Sequence, residues 1–177
     1  MKYLIFSTLA FVFGCCGNKQ NINHQQKNSD KTIVLNNIDC PTDGTCSLEI
    51  LKNTSLVLKT DPIGAFYYET LPSNNTDVII YKYTKTVDKT LQDAGHEEDI
   101  LVEIPSTLRE ISLENNELQQ AKVLYGRHCF CKGQAGYFKV ENGKLSISKN
   151  ASNYILNVDA IVTKVPQKIK SFSATLN

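Results

Sequence analysis

The sequence predicts an all-β domain, an antiparallel β-sandwich, with a partly closed β-barrel as the alternative. From residue 32 onward, short alternating or apolar runs are dominated by Val, Ile, Tyr, Phe and Thr. Clusters of Pro, Gly, Asn, Asp and Ser separate these runs. No long segment has an apolar stripe at helical spacing. β-Branched and aromatic residues favour strands, and many short strands between turn signals are typical of sandwiches and barrels.

Twelve segments fit the strand pattern. In chain order they are 32–38, 47–52, 55–60, 65–70, 78–86, 100–104, 110–113, 123–131, 136–140, 144–149, 154–163 and 168–174. Asn142-Gly143 is the clearest turn, because an Asn-Gly pair accepts the positive φ angles of a type I′ turn. We expect it to join 137–140 and 145–148 as a hairpin. Good helix formers occur only at 114–122, where we expect at most a short helical turn.

The first sixteen residues have the pattern of an export signal. Lys2 precedes an apolar run over 3–13, which is interrupted only by Ser7 and Thr8 and followed by Gly14-Cys15-Cys16. A basic start, an apolar region of roughly 7 to 15 residues and a small residue before the cleavage point define such signals. The run is shorter than the roughly 20 residues that span a bilayer. We therefore expect export without a permanent membrane-spanning helix.

Val12-Phe13-Gly14-Cys15 resembles the lipobox of bacterial lipoproteins, and the chain as a whole resembles a small lipoprotein of the Gram-negative envelope. The resemblance implies cleavage before Cys15 and a diacylglycerol thioether on that residue, with Cys16 as the alternative site. It also implies palmitate-type acyl chains and a membrane partner. Two or more acyl chains hold a protein stably on a membrane.

The predicted organisation is a lipoprotein signal peptide at 1–14, a lipidated cysteine with a flexible polar tether at 15–31, and a single β-sandwich domain at 32–177. The tether has too few apolar residues to repay the entropy of ordering. In some Gram-negative lineages, acidic residues after the lipidated cysteine resemble a surface-export signal, and Gly17-Asn18-Lys19-Gln20 lacks them. We therefore predict the outer membrane, on its periplasmic face rather than at the cell surface.

Charge and motifs exclude several functions. After the signal, 18 basic and 18 acidic residues remain, which disfavours nucleic acid because phosphate neutralisation dominates that binding. The sequence has no Gly-x-Ser-x-Gly elbow, no His-Glu-x-x-His motif and no phosphate-binding Gly-rich loop. We predict no enzymatic activity and no cofactor.

The domain contains four cysteines, Cys40, Cys46, Cys129 and Cys131. Four cysteines in an exported domain favour two disulfides. We favour cross-pairing, because Cα atoms two residues apart on an extended strand lie about 6.6 to 6.8 Å apart, at the limit for a bond. Local pairing is the second possibility. A four-thiolate zinc or copper(I) site is the third, although the spacings differ from the usual zinc knuckles. A redox pair fits least, since no Cys-x-x-Cys begins a helix.

The segment 125–138 combines aromatic, basic and glycine residues with two cysteines. We interpret Arg127, His128, Tyr137 and Phe138 as a possible binding edge, because aromatic residues and Arg are enriched at interfaces. The alternative is a strand entering a glycine-rich turn, with its aromatic residues in the core. Residues 96–99, His-Glu-Glu-Asp, are predicted to form a solvated loop.

Three functional hypotheses follow. The first is a non-catalytic binding or structural domain for an envelope protein, a glycan or a small ligand. The second is a small-ligand or metal carrier that uses Cys and His residues. The third is an enzyme, which would require His96 or His128 beside a carboxylate in a cleft.

Overall fold

The computed structural model describes residues 40–88 and 90–176, together with the backbone of a two-residue strand at 34–35. The predicted signal peptide, Cys15, Cys16, the tether and the rest of the predicted strand 32–38 lie outside the described residues. Within the described part of the chain, no helix has both the length and the apolarity needed to cross a membrane.

The fold is all-β and sandwich-like, as the sequence predicts. The described strands are β1 (Val34–Leu35), β2 (Gly44–Leu51), β3 (Thr54–Thr60), β4 (Phe66–Pro72), β5 (Thr76–Lys85), β6 (His96–Pro105), β7 (Ile111–Glu114), β8 (Leu124–Cys129), β9 (Gly136–Lys139), β10 (Asn142–Asn150), β11 (Asn153–Ile161) and β12 (Ser171–Leu176). A short 3₁₀ helix, Asn115–Ala121, lies between β7 and β8. It confirms the predicted helical turn.

Two antiparallel sheets form the sandwich. Sheet I has the strand order β1-β12-β11-β10-β7, and sheet II has the order β2-β5-β6-β8-β9. A separate hairpin of β3 and β4 completes the architecture. Residues of this hairpin pack with residues of sheet II in a second apolar cluster. Sheet II therefore has an inner face toward sheet I and an outer face toward the hairpin.

The alternation of side chains along strands creates these two cores. Ile79 and Tyr81 of β5 face inward into the main core between the sheets. Val78 of the same strand joins Leu56, Leu101 and Leu124 in the outer core. Successive residues of a strand point to opposite faces. A strand with both faces covered therefore needs nearly continuous apolar residues, which explains the run at 78–81.

The expected hairpin at Asn142-Gly143 is wrong. β9 pairs with β8 in sheet II, whereas β10 pairs with β7 and β11 in sheet I. Gly143 has the expected positive φ, 133°, and a Cβ there would collide with the carbonyl oxygen of Asp159. Val140 and Glu141 carry the chain from one sheet to the other, and the Asn-Gly pair begins β10. Turn chemistry reports the local backbone conformation, but it does not report which sheet the next strand joins.

The preferred cross-pairing of the cysteines is also wrong. Disulfides join Cys40 to Cys46 and Cys129 to Cys131, with Cα separations of 5.8 and 5.2 Å. Cys46 lies on β2 and Cys129 on β8, three strand positions apart in sheet II. That distance is about 14 Å, too far for a disulfide or a shared metal ion. β8 ends at Cys129, so Cys131 is free of the extended geometry that argued against local pairing.

Candidate functional site

The predicted binding residues lie on two neighbouring strands, but on opposite faces of sheet II. Tyr137 of β9 pairs in register with Gly126, and Phe138 pairs with Tyr125. Tyr137 belongs to the outer core and Phe138 packs against the main core. By the same alternation, His128 faces outward and Arg127 faces inward. The structure therefore divides the predicted edge into two sites.

On the outer face, His128 and Tyr137 form a cluster with Asp99 and Tyr68. His128 Nε2 lies 3.1 Å from Asp99 Oδ2. The His128 ring centroid is 5.2 Å from that of Tyr137, which in turn is 5.0 Å from the ring of Tyr68 on β4. We call these four residues the outer cluster. It links β6, β8 and β9 of sheet II to the hairpin.

Gly126 permits this arrangement. Asp99 is 95% buried, and a Cβ on Gly126 would collide with its carboxylate and lie 2.6 Å from Tyr137 Cε1. Asp99 Oδ1 is buried and has no hydrogen-bond partner in the described part of the chain. Any larger residue at 126 must therefore separate the carboxylate from the tyrosine ring.

The electrostatics of the outer cluster favour a protonated histidine. The hydrogen bond to Asp99 raises the pKa of His128 above 6.5, against the opposing effect of burial. Burial raises the pKa values of Tyr68 and Tyr137, so both phenols stay neutral at physiological pH. Among the described residues, Asp99 is the hydrogen-bonding partner of the His128 ring. The pair thus holds a histidine beside a buried carboxylate, with the Tyr137 ring against the imidazole.

A second histidine-carboxylate pair lies on the inner face, where the sequence predicts a solvated loop. That prediction is wrong, because β6 begins at His96 and Glu98 is 99% buried. His96 Nε2 is 2.8 Å from Glu98 Oε1. Glu98 Oε2 accepts hydrogen bonds from the backbone N–H groups of Lys168 (2.7 Å) and Ile169 (2.9 Å). Glu98 thus fastens the segment before β12 to sheet II.

Sequence reasoning missed these carboxylates for a specific reason. Glu98 and Asp99 belong to the four-residue polar run at 96–99, just before the apolar run at 100–102. Composition alone assigns such a run to solvent. Extending the strand alternation back from Ile100 places Glu98 inward, since Ile100 faces the main core. This alternation was the signal in the sequence that could have placed Glu98 in the core.

An aromatic groove follows β9. It has a volume of about 370 Å³. Its lining comprises Gly64, Ala65, Phe66, Ala135, Gly136, Tyr137, Phe138, Lys139, Glu141, Asn142, Ile161, Val162, Thr163 and Lys164. Lys139 Nζ lies 5.1 Å from the centre of the Phe66 ring, a cation-π contact. We call this cavity the β9 groove. It brings Tyr137 and Phe138 of the predicted binding edge together, and it omits Arg127 and His128.

The metal site predicted from the four cysteines is not formed in the described part of the chain. Within the described residues, no group of three or more His, Cys, Asp or Glu side chains is arranged to hold a metal ion. The four cysteines of the metal hypothesis are paired in two separate disulfides. The hypothesis thereby loses its predicted donor set.

Comparisons with known proteins identify no relative: no family model, no curated protein and no solved structure matches this chain. The functional argument therefore depends on the geometry of the β9 groove and of the clusters beside it.

Proposed function

We propose that this protein is a lipid-anchored binding protein of the bacterial outer membrane, and that its domain binds an extended segment of another envelope protein along strand β9. The observation that carries the proposal is the β9 groove, an aromatic cavity along an edge strand. Binding is non-catalytic in this proposal.

The backbone of β9 supports an extended polypeptide as the ligand. β9 is the last strand of sheet II and pairs only with β8 among the described residues. An edge strand presents unpaired N–H and C=O groups along its free side. An added strand satisfies those groups, which is how many domains recognise extended peptides. A glycan or a compact small molecule leaves most of them to water.

The side chains of the groove support the same ligand. Phe66, Phe138 and Ile161 supply apolar surface, and Lys139, Glu141 and Lys164 supply charges of both signs. In an added strand, main-chain hydrogen bonds provide affinity and pockets for alternate side chains provide specificity. We place binding at β9, because it is the edge strand of sheet II that the aromatic cavity adjoins.

The anchor is the second part of the proposal, and the lipobox-like sequence supports it. Acylation of Cys15 would hold the protein at the membrane, and the polar tether has a reach of roughly 20 Å by random-coil scaling. That reach lets the domain meet a partner away from the lipid surface. Metabolic labelling with palmitate tests this part: Cys15→Ser removes the label and Cys16→Ser retains it. Labelling of Cys15→Ser at the level of the unchanged protein would reject Cys15 as the anchor.

The binding site is tested by cross-linking in the native host with the full chain. A photoreactive amino acid replaces Lys139, which is exposed and lines the β9 groove. The matched control carries the same amino acid at Lys149, which is exposed on β10 and outside the groove. We expect one discrete adduct from position 139, whose cross-linked peptide comes from an extended segment of a single envelope protein. Position 149 should give no such adduct.

Two results would reject the proposal. One is an identical set of adducts from both positions, which indicates random collisions. The other is the absence of any protein adduct from position 139 while cross-linking within the chain itself succeeds. A follow-up uses a synthetic peptide of the captured segment: β9 amides should gain hydrogen-exchange protection on binding. Replacement of alternate peptide residues by Pro should abolish that protection, because Pro lacks the N–H donor.

A further inference from the structure

A second cavity, separate from the β9 groove, lies where β5, β6 and β8 approach the Cys129–Cys131 disulfide. Its volume is about 340 Å³. Its lining includes four basic or histidine side chains and a single acidic one: Lys85, His96, Arg127, Lys168 and Asp93. The remaining lining residues are Ala94, Gly95, Cys129, Phe130 and Cys131. No lining residue is shared with the β9 groove. We call this cavity the basic pocket.

Arg127 is the central residue of the basic pocket. Its Nη1 donates a hydrogen bond to Gln134 Oε1 at 2.7 Å. Its Nε is buried and has no acceptor within the described residues. Nη1 lies on the same side of the guanidinium as Cδ. The Nε–H and Nη2–H groups therefore point together from the opposite edge. That edge is a fork with the spacing of two carboxylate oxygens. Gln134 therefore occupies one donor and leaves the bidentate edge without an acceptor.

The positive charge of the basic pocket is only partly neutralised. The Lys85 side chain forms no hydrogen bond or ion pair with any residue the structure describes. Lys168 Nζ is 2.9 Å from Asp43 Oδ2, and both side chains are partly exposed. His96 is held by Glu98. Arg127 and Lys85 thus remain as cations without a carboxylate partner. A buried or half-buried cation is stabilised by an anionic partner.

The rim of the pocket adds an apolar surface. Phe130, between the two disulfide cysteines, is 83% exposed. An aromatic side chain held in solvent beside unpaired cations matches a ligand that combines an anionic group with an apolar one. Such a ligand would cover Phe130 and supply the acceptor that Arg127 Nε lacks.

We infer that the basic pocket binds the carboxylate of a small organic acid, with the Nε–Nη2 edge of Arg127 as the bidentate contact, Lys85 as the second cation and Phe130 against the apolar part. Nε is buried in this structure, so binding requires the guanidinium to turn toward the pocket, which breaks the Nη1 hydrogen bond to Gln134. This inference is independent of the proposed function, since it uses a different cavity.

Side-chain NMR of the full chain in detergent tests the inference, with benzoate as the probe. Titration should shift the Arg127 Nε–H resonance saturably. Arg127→Gln should weaken benzoate binding about tenfold or more, since it removes charge-assisted hydrogen bonds. Lys85→Gln should weaken it about threefold, as expected for an exposed charge. Lys132→Gln, the matched control, removes an exposed lysine outside the pocket and should leave the affinity within about twofold.

Two comparisons decide the outcome. Inorganic phosphate and acetate are titrated in parallel, and tighter binding of phosphate than of benzoate would overturn the carboxylate assignment. Equal effects of Lys85→Gln and Lys132→Gln, or a linear shift without saturation, would overturn the pocket itself. Lys85 is exposed, so we expect Lys85→Gln to fold. This variant still tests the inference if Arg127→Gln fails to fold.

Discussion

Glu98 and Asp99 are adjacent acidic residues on one strand, yet they have different surroundings. Both are almost fully buried, at 1% and 5% exposure, and each is bonded to a histidine. Glu98 is hydrogen-bonded to His96 and to two backbone N–H groups, whereas Asp99 is hydrogen-bonded to His128 and has one oxygen without a partner among the described residues. Burial alone does not separate the two roles. The number of carboxylate oxygens that accept hydrogen bonds separates them. The Glu98 carboxylate holds the segment before β12 against sheet II, whereas the Asp99 carboxylate controls the protonation of a histidine.

The surroundings of each pair extend this contrast. On the inner face, the Tyr83 hydroxyl donates a hydrogen bond to Asp43, which also pairs with Lys168. Burial and the neighbouring Asp43 raise the pKa of Tyr83 to about 12. The inner pair therefore belongs to a network that joins three distant segments. The outer pair touches aromatic rings and partly meets solvent, so its loss affects fewer backbone contacts.

The largest expected effect comes from the inner carboxylate. Glu98→Ala leaves the backbone N–H groups of Lys168 and Ile169 and the His96 ring without an acceptor, so we expect the free energy of unfolding to fall by about 3 kcal/mol. Glu97→Ala, a change at a half-exposed neighbour, should alter it by less than about 0.5 kcal/mol. Urea denaturation followed by circular dichroism measures both. Equal stabilities for the two variants would remove the structural role assigned to Glu98.

A medium loss of stability is expected at Gly126, where the outer cluster is most closely packed. Gly126→Ala introduces a Cβ that collides with the Asp99 carboxylate, and overpacking of this kind costs about 2 kcal/mol. Gly95→Ala is the matched control, because a Cβ there meets nothing within 4 Å. Thermal unfolding compares the two variants. If Gly126→Ala is as stable as Gly95→Ala, Asp99 and Tyr137 are packed more loosely than described.

The smallest effect should come from His128, and it should depend on pH. His128→Gln removes a partly exposed ion pair, worth about 0.5 kcal/mol after allowance for solvent screening. Because folding raises the pKa of His128 above 6.5, the stabilisation is fully present below pH 6.5 and disappears as the pH rises through the folded-state pKa. Unfolding free energies at pH 5.5 and pH 9 should therefore differ between wild type and variant only at the lower pH.

The His128 pKa itself gives a direct control. An NMR titration should place it above 6.5 in the wild type, and Asp99→Asn should lower it, because the variant removes the negative charge that stabilises the protonated ring. An unchanged pKa in Asp99→Asn would show that the hydrogen bond does not control the protonation of His128. The role assigned to Asp99 in its contrast with Glu98 would then be rejected.

Local sequence patterns predicted much of the fold. Each of the twelve predicted strand segments overlaps a described strand, and the helical turn at 114–122 is present. The predicted strand boundaries were wrong where a strand contains charged residues, because β6 begins four residues before the apolar run that predicted it. The site was predicted less well. Tyr137 and Phe138 do line the β9 groove, but Phe66 and Ile161, which complete it, come from distant strands and carry no local signal.

The sequence by itself determined the β class and the succession of strands along the chain, because these depend on neighbouring residues. It also carries the export and lipidation pattern that underlies the proposed anchor. The tertiary structure alone decided the cysteine pairing, the crossing between sheets just before Asn142-Gly143 and the division of the predicted edge into two faces. The physical reason is register. Which residues face each other depends on how strands far apart in sequence align, and a shift of one residue moves every side chain to the opposite face.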